Sequence, residues 1–477
     1  MAKKKSISVT FLTAECYPAA KVGGLADVMG SLPLYLDANV DVVMPRYDMP
    51  WFQKQTFETV FGGEINHPNS THTFEVQKVQ NDPLGFPLYV IHLPGLFDRD
   101  GVYADSSGHY FEDETLRYVT LQRAFLDWML SKGDLPDIIH THDHHTGLVP
   151  FMIQYCYKYE SISHIATVFT IHNQRYQGAF GWELQYLLPE FDTWKSGLLD
   201  WDNRINPLAS AVKCADRVTT VSPSYMDELK TNSFGLEWLF NHEAQKCVGI
   251  LNGIDPNFWN PETDEFIDYP LKKSIKRYKA ANKKQLLADT ELDHKKPLIS
   301  FIGRFAIEKG ADLLNDVLEY TLSNTLDINF LILGSGNQEM EESIRSLSQR
   351  YPKNVLSYIT YNEALAHRIY ASSDFILMPS RVEPCGLNQM YAMRYGTIPM
   401  VNDIGGLHDS VKDDVTGIKF DSLEISELYS SLMRAKSIFD DNDRLLKMVE
   451  SGMKEDFSWT KSATLYEKMY RKTIKEK

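Results

Sequence analysis

Short apolar, β-rich runs alternate with longer helical patterns through almost the whole chain, and this alternation restricts the fold more than any other feature of the sequence. Strand candidates fall at residues 8–13, 40–44, 88–92, 138–140 and 167–171, then at 298–303, 329–333, 375–378 and 398–401. Helical periodicity fills the intervals, for example at 115–130, 311–322, 339–348 and 363–371. Strands alternating with helices in this way build parallel sheets covered by helices on both faces. The pattern also starts twice. A strand and Gly-containing turn near Lys21-Val22-Gly23-Gly24 opens the first half, and Ser300-Phe301-Ile302-Gly303-Arg304 opens the second. Between them, residues 251–270 carry Asn252-Gly253, three prolines (Pro256, Pro261, Pro270) and several acidic residues, which predicts a hinge. The expected architecture is α/β: two doubly wound domains, residues 1–250 and 251–457, with a cleft between them and ligands at the carboxyl ends of the strands.

Bulk properties exclude several function classes. At 477 residues the chain exceeds one ordinary core. With 43% hydrophobic and 24% charged residues it reads as globular, and no apolar run reaches the ~18 residues of a membrane span. Lys3, Lys4 and Lys5 precede an apolar stretch from Ile7 to Ala14, but Glu15 ends it early, so a first β-strand is the better reading than a signal peptide. A net charge of −15 argues against nucleic acid or an anionic membrane surface as partner. Any phosphate-bearing substrate must therefore be held by a local cluster of cations. The five cysteines are odd in number and lack metal-ligand spacing, as expected for reduced thiols in a cytoplasmic protein.

Several strand ends carry residues suited to chemistry, each with a plainer alternative. At Lys21-Val22-Gly23-Gly24-Leu25-Ala26-Asp27 the glycines let backbone N–H groups approach a phosphate at a helix start and Lys21 adds a full charge; an ordinary βα turn is the alternative. The run His140-Thr141-His142-Asp143-His144-His145 invites a metal reading. Successive side chains point in different directions, however, and no second ligand cluster follows, so a loop lining a polar sugar site is preferred, with Asp143 accepting hydrogen bonds from hydroxyls. His172 and Asn173 end another apolar strand, where a satisfied core histidine is an equal alternative, and Asn252 lies in a turn. Arg304 and Lys309, five apart after a strand, can grip a diphosphate or form a solvated charged turn. In Glu383-Pro384-Cys385-Gly386-Leu387-Asn388 a carboxylate precedes a helix start whose amides suit phosphate; a capped strand-to-helix turn is the alternative. Cys385 has no base placed beside it by the sequence and is read as packing.

Taken together and in order, these segments resemble the bacterial glycogen synthases and plant starch synthases over nearly the full chain. Met44-Pro45-Arg46-Tyr47, Phe97-Asp98-Arg99, Val221-Ser222-Pro223, Gly249 to Asp255, Gly405-Gly406-Leu407 and Phe457-Ser458-Trp459 extend the match. The resemblance implies a GT-B architecture of two Rossmann-like domains, with a last helix, residues 458–477, packing back on the N-terminal domain. It also implies a retaining transfer of glucose from ADP-glucose to the non-reducing end of an α-1,4-glucan. In that reading Lys21, Gly23, Gly24 and Asp27 serve the diphosphate from the N-terminal side, and Arg304 and Lys309 hold it from the C-terminal side. Glu383, with the Cys385-Gly386-Leu387-Asn388 segment, binds the donor glucose, while Asp143, His172, Asn173 and Asn252 line the sugar pocket. Tyr361 stacks on the nucleotide base. Glu383, Arg304, Lys309, His172 and Lys21 form the catalytic set, with no metal and no cofactor.

Departures from the family pattern are Val22 and Ala26 in the glycine turn and His144 where many relatives have tryptophan. UDP-glucose as donor, another acceptor, and a non-catalytic glucan-binding relative remain the competing readings. The last would be expected to lose Lys21, Arg304, Lys309 or Glu383, and all four are present. The sequence does not specify an oligomeric state.

Overall fold

A computed structural model describes residues 6–105 and 108–477; Lys3, Lys4 and Lys5 lie outside them. The chain divides into two compact units, Met1–Gly253 with Trp459–Lys477, and Ile254–Ser458.

The first unit is built on a sheet of β1 (Ile7–Leu12), β2 (Ala38–Pro45), β3 (Phe57–His67), β4 (Ser70–Val79), β5 (Leu88–His92), β6 (Ile138–His142) and β7 (Ala166–Ile171). A two-stranded ribbon, β8 (Asp200–Trp201) with β9 (Arg204–Ile205), stands apart, and β10 (Arg217–Thr220) and β11 (Cys247–Gly249) complete the sheet. The strand order is β11-β10-β7-β6-β1-β2-β5-β4-β3. Pairing is parallel from β11 to β5 and antiparallel across β5, β4 and β3. Every residue of β6 and β7 is buried, as expected of parallel strands covered on both faces. The β3–β4 hairpin has no counterpart among the expected strands. β3 is an edge strand with mostly exposed alternate positions, so it lacks the continuous apolar run that marks the central strands. Order reverses between β2 and β6 on either side of β1, the position beyond whose strand ends sheets of this kind bind ligands.

The helix Trp459–Glu476 belongs to this unit. Its buried residues, Trp459, Ser462, Ala463, Tyr466, Met469, Tyr470 and Thr473, recur at helical spacing and form one apolar stripe. Tyr470 hydrogen-bonds His140 at 2.8 Å, and the Ser462 hydroxyl donates to the Leu251 carbonyl.

In the second unit β12 (Leu298–Ile302), β13 (Asn329–Gly334), β14 (Val355–Ile359), β15 (Phe375–Met378), β16 (Ile398–Asn402) and β17 (Ile418–Phe420) form an all-parallel sheet in the order β14-β13-β12-β15-β16-β17. Reversal here falls between β12 and β15, so the loops after those two strands are neighbours. The helix expected at 311–322 is present as Leu314–Ser323, and its first turn is a 3₁₀ turn, Ala311–Leu313, preceded by another at Ile307–Lys309. Gly310, with φ 70°, separates the two turns. Among the described residues no helix is long and apolar enough to cross a membrane.

Candidate active-site residues

In the first unit the glycine turn follows β1. Gly23 is the N-cap of helix Gly24–Tyr35 and offers it no side-chain cap. Both glycines are in open space: a Cβ on either would meet nothing within 4 Å, which leaves room for a ligand against the backbone. Lys21 donates to Asp27 at 2.7 Å. The turn is held by a carboxylate that the sequence reading passed over. Glu15, buried at the end of the first strand run, accepts from the amides of Val22 at 2.5 Å and Gly23 at 2.9 Å, and from the Tyr103 hydroxyl at 2.6 Å. Burial pushes the Glu15 carboxyl above its ordinary range, against the lowering effect of those three donors. One of the two glycine amides expected to face phosphate, that of Gly23, is thus committed in part to Glu15. A charged residue flanked by Ala14 and Cys16 in an otherwise buried run was the available signal.

The histidine run divides into two groups. His140 and His142 lie two apart in β6, on one face, with rings stacked at 4.3 Å. His142 Nδ1 meets His172 Nε2 at 3.0 Å, and His140 Nε2 meets Thr170 at 2.6 Å. Burial lowers the pKa of all three imidazoles, most strongly for His140 and His142, so they are neutral at neutral pH. His142 Nε2 is buried without a partner. Asp143 follows at φ 56°, ψ 177°, a strained conformation for a residue with a side chain. Its Oδ1 accepts from the amides of His172 at 2.7 Å and Asn173 at 3.3 Å. That oxygen fixes the turn after β7, where the sequence reading assigned Asp143 to sugar hydroxyls. The Asn173 side chain accepts from the Arg175 amide, and Asn252, at the end of the first unit, buries an Oδ1 without a partner.

His144 and His145 form the second group with Glu114, thirty residues upstream of His144 at the start of helix Glu114–Ser131. Hydrogen bonds from the two imidazoles hold the Glu114 carboxyl well below its usual range, and burial pulls His145 down to about 3.

In the second unit the loops after β12 and β15 are tied together. The Glu308 carbonyl accepts from the Arg381 amide at 2.8 Å, and Arg381 also pairs with Asp312 at 2.7 Å. This brings Lys309 Nζ to 2.7 Å from both oxygens of Glu383. Glu383 is buried and accepts in addition from Ser380 at 3.0 Å. Arg304, largely exposed, pairs with Glu308 at 3.0 Å. Gly310 is required where it stands: at its positive φ a Cβ would lie 2.0 Å from the Pro379 carbonyl oxygen. Beyond Glu383, Cys385 is a buried thiol in no disulfide, and Gly386 has φ 70°. Leu387 is the N-cap of helix Asn388–Arg394 and supplies no side-chain cap, while the Asn388 side chain reaches back to the Ile302 carbonyl at 2.7 Å. Tyr361 stands 74% exposed before helix Glu363–Ser372, presenting a ring face suited to stacking.

Two doubly wound parallel sheets in one chain, each with charged and polar side chains at its strand ends, are the arrangement of GT-B glycosyltransferases. Residues 282–452 match the family described as glycosyl transferases group 1, and residues 8–242 match the starch synthase catalytic domain. A glycogen synthase of Flavobacterium johnsoniae is 47% identical over 481 residues, spanning 99% of this chain and 100% of the relative. A glycogen synthase of Streptococcus agalactiae is 37% identical across 98% of this chain and 99% of its own. Among solved structures, the catalytic domain of starch synthase IV from Arabidopsis thaliana, bound to ADP and acarbose, aligns with a TM-score of 0.88 at 30% identity, covering 99% of this chain and all of that one. The chain belongs to the glycogen synthase and starch synthase family, and it is a glycosyltransferase.

Proposed function

We propose that the protein transfers glucose from ADP-glucose to the non-reducing end of an α-1,4-glucan with retention of configuration. The observation that carries this reading is the Lys309–Glu383 pair: a buried carboxylate held by an ammonium, on the segment that leads from β15 into helix Asn388–Arg394. The relative bound to ADP and acarbose supports the choice of ligands: an adenine nucleotide and a glucan-like oligosaccharide.

In this reading the C1–O bond to the β-phosphate breaks as the acceptor O4 attacks C1 from the same face. The O4 proton passes to the departing phosphate. Lys309 and Arg304 stabilise the charge that gathers on the leaving diphosphate, and Lys21 with the Gly23-Gly24 turn serves the same end. Glu383 accepts from donor hydroxyls, and the neutral His172 donates or accepts without adding charge. Tyr361 stacks on the base. The fixed cations do the work a divalent ion does elsewhere, so the reaction needs no cofactor. UDP-glucose is the second donor to weigh, because an exposed aromatic ring such as Tyr361 can stack on either base.

Incorporation of radiolabelled glucose into glycogen, measured with ADP-glucose and UDP-glucose side by side in EDTA, tests all of this. Incorporation from ADP-glucose is expected. Incorporation from UDP-glucose alone would overturn the donor assignment, and none from either by folded protein would overturn the reaction.

A further inference from the structure

We propose that Glu114, His144 and His145 form a binding site for a borderline transition-metal dication, zinc being the best match, held by two imidazole Nε2 atoms and one carboxylate oxygen. The three ligand atoms come from separate places in the first unit. Glu114 opens helix Glu114–Ser131, and the two histidines occupy the 3₁₀ turn His144–Thr146 after β6. All three atoms lie within 4.8 Å of one another.

The separations admit coordination as well as hydrogen bonding. Glu114 Oε1 is 3.3 Å from His144 Nε2 and 3.5 Å from His145 Nε2. An imidazole donating to a carboxylate with full charge assistance closes to about 2.7–2.9 Å. A tetrahedral zinc with arms of about 2.0–2.1 Å instead sets its ligand atoms about 3.3–3.4 Å apart. The two Glu114–imidazole spacings are therefore longer than a charge-assisted hydrogen bond and match the spacing of two ligands on one ion. Imidazole and carboxylate together suit zinc better than magnesium or calcium, which take oxygen ligands.

Packing fixes the rings. His145 stacks on Tyr103 at 4.6 Å and lies 4.4 Å from Tyr118, while the His144 and His145 rings sit 3.7 Å apart with both Nε2 atoms toward Glu114. Both Nδ1 atoms are buried without a partner, so orientation here comes from ring contacts in place of the usual outer hydrogen bond. The Glu114 side chain is about half exposed, which gives an ion a route in and leaves a fourth position for water.

A bound ion would tie the start of helix Glu114–Ser131 to the turn that carries Asp143. Through the Tyr103 ring it would also brace the hydroxyl that holds Glu15. The role is structural, independent of the transfer reaction proposed above, which is expected to run in EDTA.

The test uses the full chain, stripped with chelator and titrated with Co²⁺ and then Zn²⁺. One saturable equivalent is expected, with the strong visible absorption of four-coordinate Co²⁺, displaced by Zn²⁺, and a Zn²⁺-dependent rise in Tm. Glu114→Gln and His144→Phe, each checked by circular dichroism, should weaken Zn²⁺ binding at least tenfold and lose the Tm response. X-ray absorption on the Zn²⁺-loaded wild type needs no variant and should give a shell containing two imidazoles. Pale, six-coordinate Co²⁺, or Zn²⁺ uptake by Glu114→Gln equal to wild type, would overturn the proposal.

Discussion

Replacing Lys309 with Met leaves the Glu383 carboxylate, whose side chain is 7% exposed, with the Ser380 hydroxyl as its remaining hydrogen-bond donor. Replacing Glu383 with Gln instead leaves the Lys309 ammonium, 28% exposed and able to turn into water. Breaking a buried pair by removing one partner costs about 3–5 kcal/mol when the remaining charge stays buried. Lys309→Met falls at the lower end, near 3 kcal/mol, because Ser380 still donates. For a unit of this size that is a Tm loss of roughly 6–12 °C. Glu383→Gln should cost less than about 1.5 kcal/mol, since the amide keeps an acceptor for Ser380 and the ammonium regains hydration. The two variants should also fail differently. Both should lower transfer by about 10²–10³-fold, but Lys309→Met should weaken ADP binding while Glu383→Gln binds ADP at least as tightly as wild type. Calorimetry on the ligand-free proteins and titration with ADP measure both quantities. Equal Tm losses in the two variants, or undiminished ADP binding by Lys309→Met, would refute the reasoning.

Stability should fall as pH drops below about 6.5. Burial depresses the folded pKa of His140 and His172, so the unfolded chain binds more protons there, and each such group costs about 1.4 kcal/mol per pH unit until its folded pKa is reached. Urea unfolding at pH 7.5 and 5.5 checks this, and equal midpoints would count against it. Gly310→Ala should destabilise by roughly 2–5 kcal/mol, because it combines a left-handed backbone with a clash on the Pro379 carbonyl; an unchanged Tm would contradict that geometry. Tyr361→Ala should reduce kcat/KM for the donor by about tenfold to a hundredfold, as loss of one base–aromatic stack does, with no change in Tm; unchanged kinetics would remove Tyr361 from the site.

What the sequence disclosed followed from how each element is buried. β1, β7, β12 and β15 are covered on both faces, so their apolar runs were visible and the loops after them, where Lys21, His172, Arg304 and Glu383 lie, could be located. The β3–β4 hairpin escaped because an edge strand needs no such run. Glu15 and Glu114 escaped for a different reason. Each acts on residues that the fold brings to it, Glu15 on the turn seven residues ahead and Glu114 on histidines thirty residues away, and neither shares a helix or strand with the residues it holds. Asp143 was legible as a strand-end carboxylate, but nothing local to it told that its Oδ1 would serve the backbone of the neighbouring strand.

Each of the three cations assigned to the diphosphate already has a carboxylate partner within its own unit: Lys21 with Asp27, Arg304 with Glu308, Lys309 with Glu383. A binding diphosphate therefore exchanges one anion for another. The first two pairs are exposed, and such pairs are worth about 0–1 kcal/mol, so their exchange costs little. The third differs because Glu383 is buried: once Lys309 turns to phosphate, the carboxylate needs a new donor. Hydroxyls of a donor glucose can supply one, whereas ADP has no sugar on its β-phosphate to do so. On the proposed reading, the pair couples recognition of the diphosphate to recognition of the sugar. ADP-glucose should bind wild type more tightly than ADP, and the difference should shrink in Glu383→Gln, where Lys309 is released from the start and no buried charge is left behind. Titration of both ligands into both proteins, under conditions without acceptor, measures that difference directly. A discrimination that survives Glu383→Gln unchanged would place sugar recognition elsewhere in the chain.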